Sequence, residues 1–175
     1  INGNTLSIEE VLAVALQGKK VRLSEEATNR VKRCRNSLEE RIQKGDILYG
    51  INTGVASLAE QKRVSSSNLK RSQVELLRSH VSTVGKPLPL EVVRAMMVSR
   101  ANTLAKGNSG VRVELILKIL ELLNKGVIPY VPSKGSVGAS GDLGSLAHMS
   151  LVLIGEGQAY YQGRLLPGKE ALKEA

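Results

Sequence analysis

The sequence predicts a mainly α fold: a helical amino-terminal-type domain with short strands and two long loops that carry its chemistry. Three observations predict it. Apolar residues recur at spacings of three and four over long stretches, as at Ala27, Val31, Cys34, Leu38 and Ile42. Glycines close these runs at Gly18, Gly45, Gly107, Gly126 and Gly155, where helices stop. Strand-like stretches are few and short, around 47–49 and 160–166.

Taken in order, Ser7-Ile8-Glu9-Glu10 is a capping box that opens a helix ended by Gly18. A second helix is expected over 24–44, stopped by Gly45. Ile47-Leu48-Tyr49 reads as a short strand or an extended entry into a loop. Gly50 to Ala59 is loop-like, because its Gly, Asn and Thr favour turns. A helix over 67–83 follows, interrupted by Gly85-Lys86-Pro87. Pro89 suits the start of the next helix, which runs to about residue 106. Residues 109–125 are again helical. Residues 127–141 read as irregular, with Pro129 and Pro132 breaking any strand that leads into them. Asp142 can cap a helix to 154. Gln162-Gly163 is the turn of a small hairpin, and a last helix begins near Lys169.

The 175 residues can bury a substantial core as one domain, or one domain plus an extension; a single domain over 1–175 is the adopted reading. With no Trp, no Phe and aromatics at 2%, that core must be aliphatic. The net charge of +9 raises nucleic acid as a partner. Basic and acidic residues are interleaved, however, and four Tyr supply no stacking platform. A solvated surface is the reading, with no nucleic-acid partner. No apolar run approaches about 18 residues, so no membrane span is expected. The lone Cys34 cannot form an internal disulfide and reads as a core residue. No signal peptide is visible, no metal site is expected, and the chain reads as cytoplasmic.

Irregular segments longer than about 12–15 residues are often functional, and two are expected here, around 45–66 and 127–141. The second holds Gly135-Ser136-Val137-Gly138-Ala139-Ser140-Gly141-Asp142-Leu143. The residues alone leave three readings open. A Gly/Ser connector is the plainest. A phosphate cradle fits poorly, since neither GxGxxG nor GKS/T is present. In the third, the Gly141 nitrogen attacks the Ala139 carbonyl in a compressed turn. Loss of that water, and of the Ser140 hydroxyl as a second water, leaves an electrophilic methylidene-imidazolone. Side chains supply nucleophiles, acids and bases but few electrophiles, which is a reason to build one from backbone. A helix starting at Asp142 would turn its positive end toward such a ring.

The context favours the third reading. Upstream lie Tyr49-Gly50-Ile51-Asn52-Thr53-Gly54, then Ser79-His80, then the segment KGNSGVR over 106–112; downstream lies Leu146-Ala147-His148-Met149-Ser150. In this order and spacing the chain resembles the histidine/phenylalanine/tyrosine ammonia-lyase family from about residue 48 to 167. The resemblance implies a 4-methylidene-imidazol-5-one cofactor formed autocatalytically from Ala139-Ser140-Gly141, with Asp142 supporting cyclisation or simply capping its helix. It implies Tyr49 as catalytic base. A phenol titrating near about 10 needs its anion stabilised to serve at neutral pH. A lone Tyr before a Gly loop is otherwise a packed residue. His80 is implied as the substrate-binding residue: histidine lyases resemble Ser-His at this pair, tyrosine lyases His-Leu and phenylalanine lyases Phe-Leu. An imidazole can donate to or accept from another imidazole, although a helix-end His can equally be satisfied by carbonyls. His148 reads as structural. Asn52, Thr53, Asn108 and Arg112 read as turn and cap residues.

The implied reaction is the elimination of ammonia from L-histidine to give trans-urocanate. The alternatives are a lyase or aminomutase acting on another aromatic amino acid, or a non-catalytic helical interaction module. Four features depart from the family pattern. Val55-Ala56 replaces Phe-Gly, which restricts φ in the Tyr49 loop. Thr83 stands where Gly is usual. Gly144-Ser145 replaces Ala-Pro, which should loosen the start of that helix. Finally, family members are far longer, and their sites combine residues from several subunits of a homotetramer. The expectation is an amino-terminal portion that is an incomplete enzyme alone, with the tripeptide left uncyclised, and that works in a homo-oligomer or with a complementary carboxy-terminal chain.

Overall fold

The computed structural model describes residues 1–60, 63–135 and 143–175. Seven α-helices and five short strands are found among them: α1 (Ile8–Gln17), α2 (Glu25–Gln43), α3 (Leu69–Ser79), β1 (Val84–Pro87), α4 (Leu90–Ala105), α5 (Val113–Lys125), β2 (Ile128–Pro129), β3 (Pro132–Lys134), α6 (Leu143–Leu151), β4 (Gln158–Tyr161), β5 (Arg164–Pro167) and α7 (Gly168–Glu174). Short 3₁₀ turns cover Ala56–Leu58, Ser66–Asn68 and Val152–Ile154.

Local chemistry sets most boundaries. The Ser7 hydroxyl accepts the Glu10 N–H at 3.2 Å while the Glu10 carboxylate accepts the Ser7 N–H at 3.1 Å, a complete capping box. Gly18 and Gly126 end α1 and α5 in the left-handed conformation, at φ 71° and 77°. The expected hairpin forms as β4 and β5, with Gln162 and Gly163 both at positive φ in the two-residue turn.

The core is aliphatic, as the composition requires. α4 packs against α1, α2 and α5 and contributes Val93, Met97, Val98, Ala101 and Leu104. α5 turns Ile116, Ile119, Leu120, Leu122 and Leu123 inward. Truncating a fully buried Met97 or Leu122 to Ala should cost about 2–5 kcal/mol by loss of transfer energy and by cavity formation. Among the described residues, no helix is long and apolar enough to cross a membrane.

Three expectations are corrected. The helix expected over 67–83 ends at Ser79, with His80 as C-cap, and Gly85-Lys86-Pro87 belongs to a strand rather than a helix break. β1 pairs antiparallel with β3, Val84 opposite Lys134 and Pro87 opposite Pro132. Pro129 and Pro132 therefore lie within short strands. Pro129 ends β2, pairing with Ala159, and Pro132 begins β3. A proline is tolerated at the first residue of a strand or on an edge, where its missing N–H breaks no ladder. Cys34 is half-buried rather than in the core. Only Ala27 and Val31 of the α2 stripe are fully buried. Cys34 and Leu38 of the stripe face a surface cleft of about 430 Å³ with Arg41, Ile47 and Tyr49 also on its walls.

Candidate functional site

The candidate site is assembled around α3. Upstream of that helix, residues 46–60 form a loop held mainly by polar contacts. The Asn52 side chain accepts the Leu48 N–H at 2.8 Å and donates to the Asp46 carbonyl at 2.8 Å. The buried Thr53 hydroxyl accepts the Gly50 N–H at 3.0 Å and donates to the Gly54 carbonyl at 2.7 Å. These are the turn-bracing roles the residue types suggest. Gly54 has no room for a side chain, since a Cβ there would lie 2.5 Å from the Leu58 carbonyl oxygen.

Tyr49 sits at the turn of this loop with 67% of its surface exposed, so it is not a packed core residue. Its hydroxyl oxygen accepts the Ala56 N–H at 2.9 Å. That contact gains strength as negative charge builds on the oxygen. Ala56 makes it from φ +49°, a left-handed conformation that a Cβ disfavours. The replacement of a glycine by Ala56 thus falls where glycine's freedom is used, and the loop keeps its shape under strain.

Gln73 of α3 docks this loop. Its amide donates to the Gly50 carbonyl at 2.9 Å. Nothing in the residue's sequence setting signalled this role. Seven positions later, about 10 Å along the helix axis, α3 ends at His80. There Nδ1 lies 2.8 Å from the Leu76 carbonyl and 3.2 Å from the Ser79 hydroxyl. Only a protonated Nδ1 can donate to a carbonyl, so the neutral ring leaves Nε2 as its acceptor. The carbonyl-satisfied reading and the ligand-binding reading of His80 are therefore compatible, one on each nitrogen. Arg78 pairs with Glu156, tying the end of α3 to the turn beyond α6. The pairing raises the Arg78 pKa and lowers that of Glu156.

Ala139, Ser140, Gly141 and Asp142 lie outside the described residues. The positions on either side of them are described. Gly135 has φ 125°, and a Cβ there would lie 2.9 Å from Thr83 Cα. A Cβ on Gly144 would lie 2.6 Å from Thr83 Cγ2 and 3.6 Å from the His80 carbonyl oxygen. His148, one turn further along α6, has its pKa pushed down by burial, partly opposed by the Thr83 backbone. Its Nε2 and the Thr83 hydroxyl oxygen are buried without a hydrogen-bond partner among the described residues. His80 and the exit of the 136–142 segment are therefore adjacent, while Tyr49 is connected to them through Gln73 and α3. Arg112 is the N-cap of α5 without a side-chain cap bond, and Asn108 is exposed.

The family model for aromatic amino acid lyases matches residues 6–175. The chain belongs to the aromatic amino acid lyase family. It is 49% identical to the histidine ammonia-lyase of Myxococcus xanthus over 176 aligned positions, covering all of this chain and 34% of that protein. Among solved structures, the ergothioneine-degrading ergothionase of Treponema denticola superposes with a TM-score of 0.95 at 32% identity, covering 99% of this chain and 34% of that one. The histidine ammonia-lyase of Trypanosoma cruzi superposes at 0.90 with 33% identity, over 99% of this chain and 33% of that one. The chain thus spans about a third of the length of these lyase-family relatives. The mainly α architecture is that of the family, and its short β1–β3 and β2–β4 pairings are pieces of it that sequence patterning did not reveal.

Proposed function

We propose that this chain is the cofactor-forming and substrate-selecting portion of a histidine ammonia-lyase, which eliminates ammonia from L-histidine to give trans-urocanate. The observation that carries the reading is the Tyr49 hydroxyl held by the Ala56 N–H, in a loop docked on the helix that ends at His80.

In this reading the tripeptide Ala139-Ser140-Gly141 supplies, once cyclised, an electrophile that draws electron density from the substrate and makes its amino group a better leaving group. The flanks of that segment fit a compact turn, since neither Gly135 nor Gly144 has space for a side chain. Asp142 supports the cyclisation or caps the following helix. Tyr49 takes the Cβ proton as its phenolate, whose charge the Ala56 N–H stabilises before the transfer, and ends the step as the neutral phenol. His80 Nε2 accepts the substrate's imidazole N–H, while Nδ1 stays anchored on the Leu76 carbonyl. Ammonia departs with the electron pair of its C–N bond, and the Cβ–H pair forms the new double bond. The partners are L-histidine and either further copies of the enzyme in a homotetramer or a complementary carboxy-terminal chain.

The test is made on the assembled enzyme containing this chain. With L-histidine, ultraviolet absorbance should report urocanate, and intact mass should show the loss of two waters. Tyr49→Phe should abolish most turnover while the mass deficit remains. Turnover of phenylalanine or tyrosine instead of histidine would replace the substrate assignment with that of a related lyase or aminomutase. No mass deficit and no ammonia from any aromatic amino acid would leave a non-catalytic helical module.

A further inference from the structure

Thr83 stands between the two ends of the tripeptide segment. On one side is Gly135, where a Cβ would meet Thr83 Cα at 2.9 Å and Cγ2 at 3.1 Å. On the other is Gly144, where a Cβ would meet Thr83 Cγ2 at 2.6 Å. The same Gly144 position faces the His80 carbonyl at 3.6 Å and the Ser82 hydroxyl at 3.8 Å. The Thr83 methyl therefore occupies the volume that a side chain at position 144 would need. Thr83 is 7% exposed, and its hydroxyl has no partner among the described residues. Among the described residues, the contacts that Thr83 makes on this side are therefore those of its methyl and backbone.

We propose that Thr83 is a positioning residue whose methyl, packed reciprocally against Gly144 and backed by Gly135, fixes the entry and exit of the 136–142 segment relative to His80. Residue 83 and residue 144 share one space, so a larger group at one requires a smaller group at the other. This rests on the reading of Ala139-Ser140-Gly141 as the cofactor precursor. It adds that the geometry permitting cyclisation is set by a side chain on another segment. Displacements of about 1 Å at a reacting group cost on the order of a hundredfold in rate, and the clash at Gly144 is of that size.

The experiment is a cycle of Gly144→Ala, Thr83→Gly and the double variant in the assembled enzyme, with Thr83→Val alongside. The readouts are melting temperature and the fraction of folded protein that has lost two waters. Gly144→Ala should lower that fraction by roughly tenfold or more, and the double variant should recover it to within about threefold of the parent. Thr83→Val keeps the methyl and replaces a hydroxyl that has no partner among the described residues, so it should cyclise like the parent and melt no lower. Where Gly144→Ala fails to fold, recovery of folding in the double variant is the supporting result. Additive effects in the cycle, or loss of cyclisation in Thr83→Val, overturn the proposal. If the parent enzyme itself shows no mass deficit, the cofactor reading fails, and the melting-temperature cycle alone then decides the Thr83–Gly144 coupling: recovery supports it and additivity overturns it.

Discussion

Replacing Ala56 with Gly should stabilise the loop that carries Tyr49. Ala56 is exposed and holds φ +49°, so packing hardly enters and the backbone decides the sign. A non-glycine residue in the left-handed region costs about 1–2 kcal/mol. Glycine removes that strain but returns about 0.4–1 kcal/mol of freedom to the unfolded chain. The net gain is about 0.5–1 kcal/mol, or roughly 1–4 °C in melting temperature for a chain of this size. Ala56→Val is the counter-test, because β-branching deepens the left-handed penalty; it should melt lower than the parent. The Ala56 N–H is also the donor to Tyr49, so turnover in the assembled enzyme should hold or rise with glycine and fall with valine. Equal melting temperatures for the glycine, alanine and valine forms would refute the left-handed turn, and with it the account of how Tyr49 is held.

Three further outcomes follow from single contacts. Gly54→Ala should lower turnover at least about tenfold with a small change in global stability, because its Cβ would sit 2.5 Å from the Leu58 carbonyl oxygen in a peripheral loop; activity and thermal melts check both parts. Arg94→Met should cost about 2 kcal/mol in denaturant unfolding, since the guanidinium donates to the Val14 and Ala15 carbonyls at the end of α1. His148 is neutral by burial, its folded pKa lying below the ordinary 6.5. The unfolded chain then binds the extra proton first as pH falls, so this residue's stabilising contribution is full above about 6.5 and shrinks below it. Melts at pH 7.5 and 5.5 should differ less in His148→Gln than in the parent; an unchanged difference would refute this.

Sequence-local chemistry was the legible part of the fold. The Ser7 capping box, the closing glycines at 18 and 126, and the Gln162-Gly163 turn each act within a few residues, so their residues announce them. The β1–β3 pair joins segments about 48 positions apart, and all of β1 is exposed. It therefore has no apolar alternation to read, and its prolines argue against a strand. The helix expected to reach residue 83 stops at Ser79, five positions before β1 begins at Val84. For the candidate site, Tyr49 and His80 could be singled out in the sequence as the proposed base and imidazole ligand. Their supports could not: Gln73 reaches 23 residues back to Gly50, and Thr83 meets Gly144 across the fold.

A strained residue persists only where its surroundings over-determine it, and the Tyr49 loop shows which surroundings those are. Asn52 bonds the backbone at Asp46 and Leu48, Thr53 bonds Gly50 and Gly54, and Gln73 bonds Gly50. None of these contacts belongs to the aliphatic core of α1, α2, α4 and α5. The scaffold and the loop are therefore stabilised by different interactions, apolar burial in one and a short series of polar bonds in the other. Loops built that way open at lower free energy than the core unfolds. A base presented on such a loop can be withdrawn without melting the helices beneath it. His80, by contrast, is fixed by the end of α3 and by its neighbour at Gly144. In the proposed enzyme, the proposed base thus rests on polar loop contacts, and the proposed substrate-binding imidazole rests on the end of a helix.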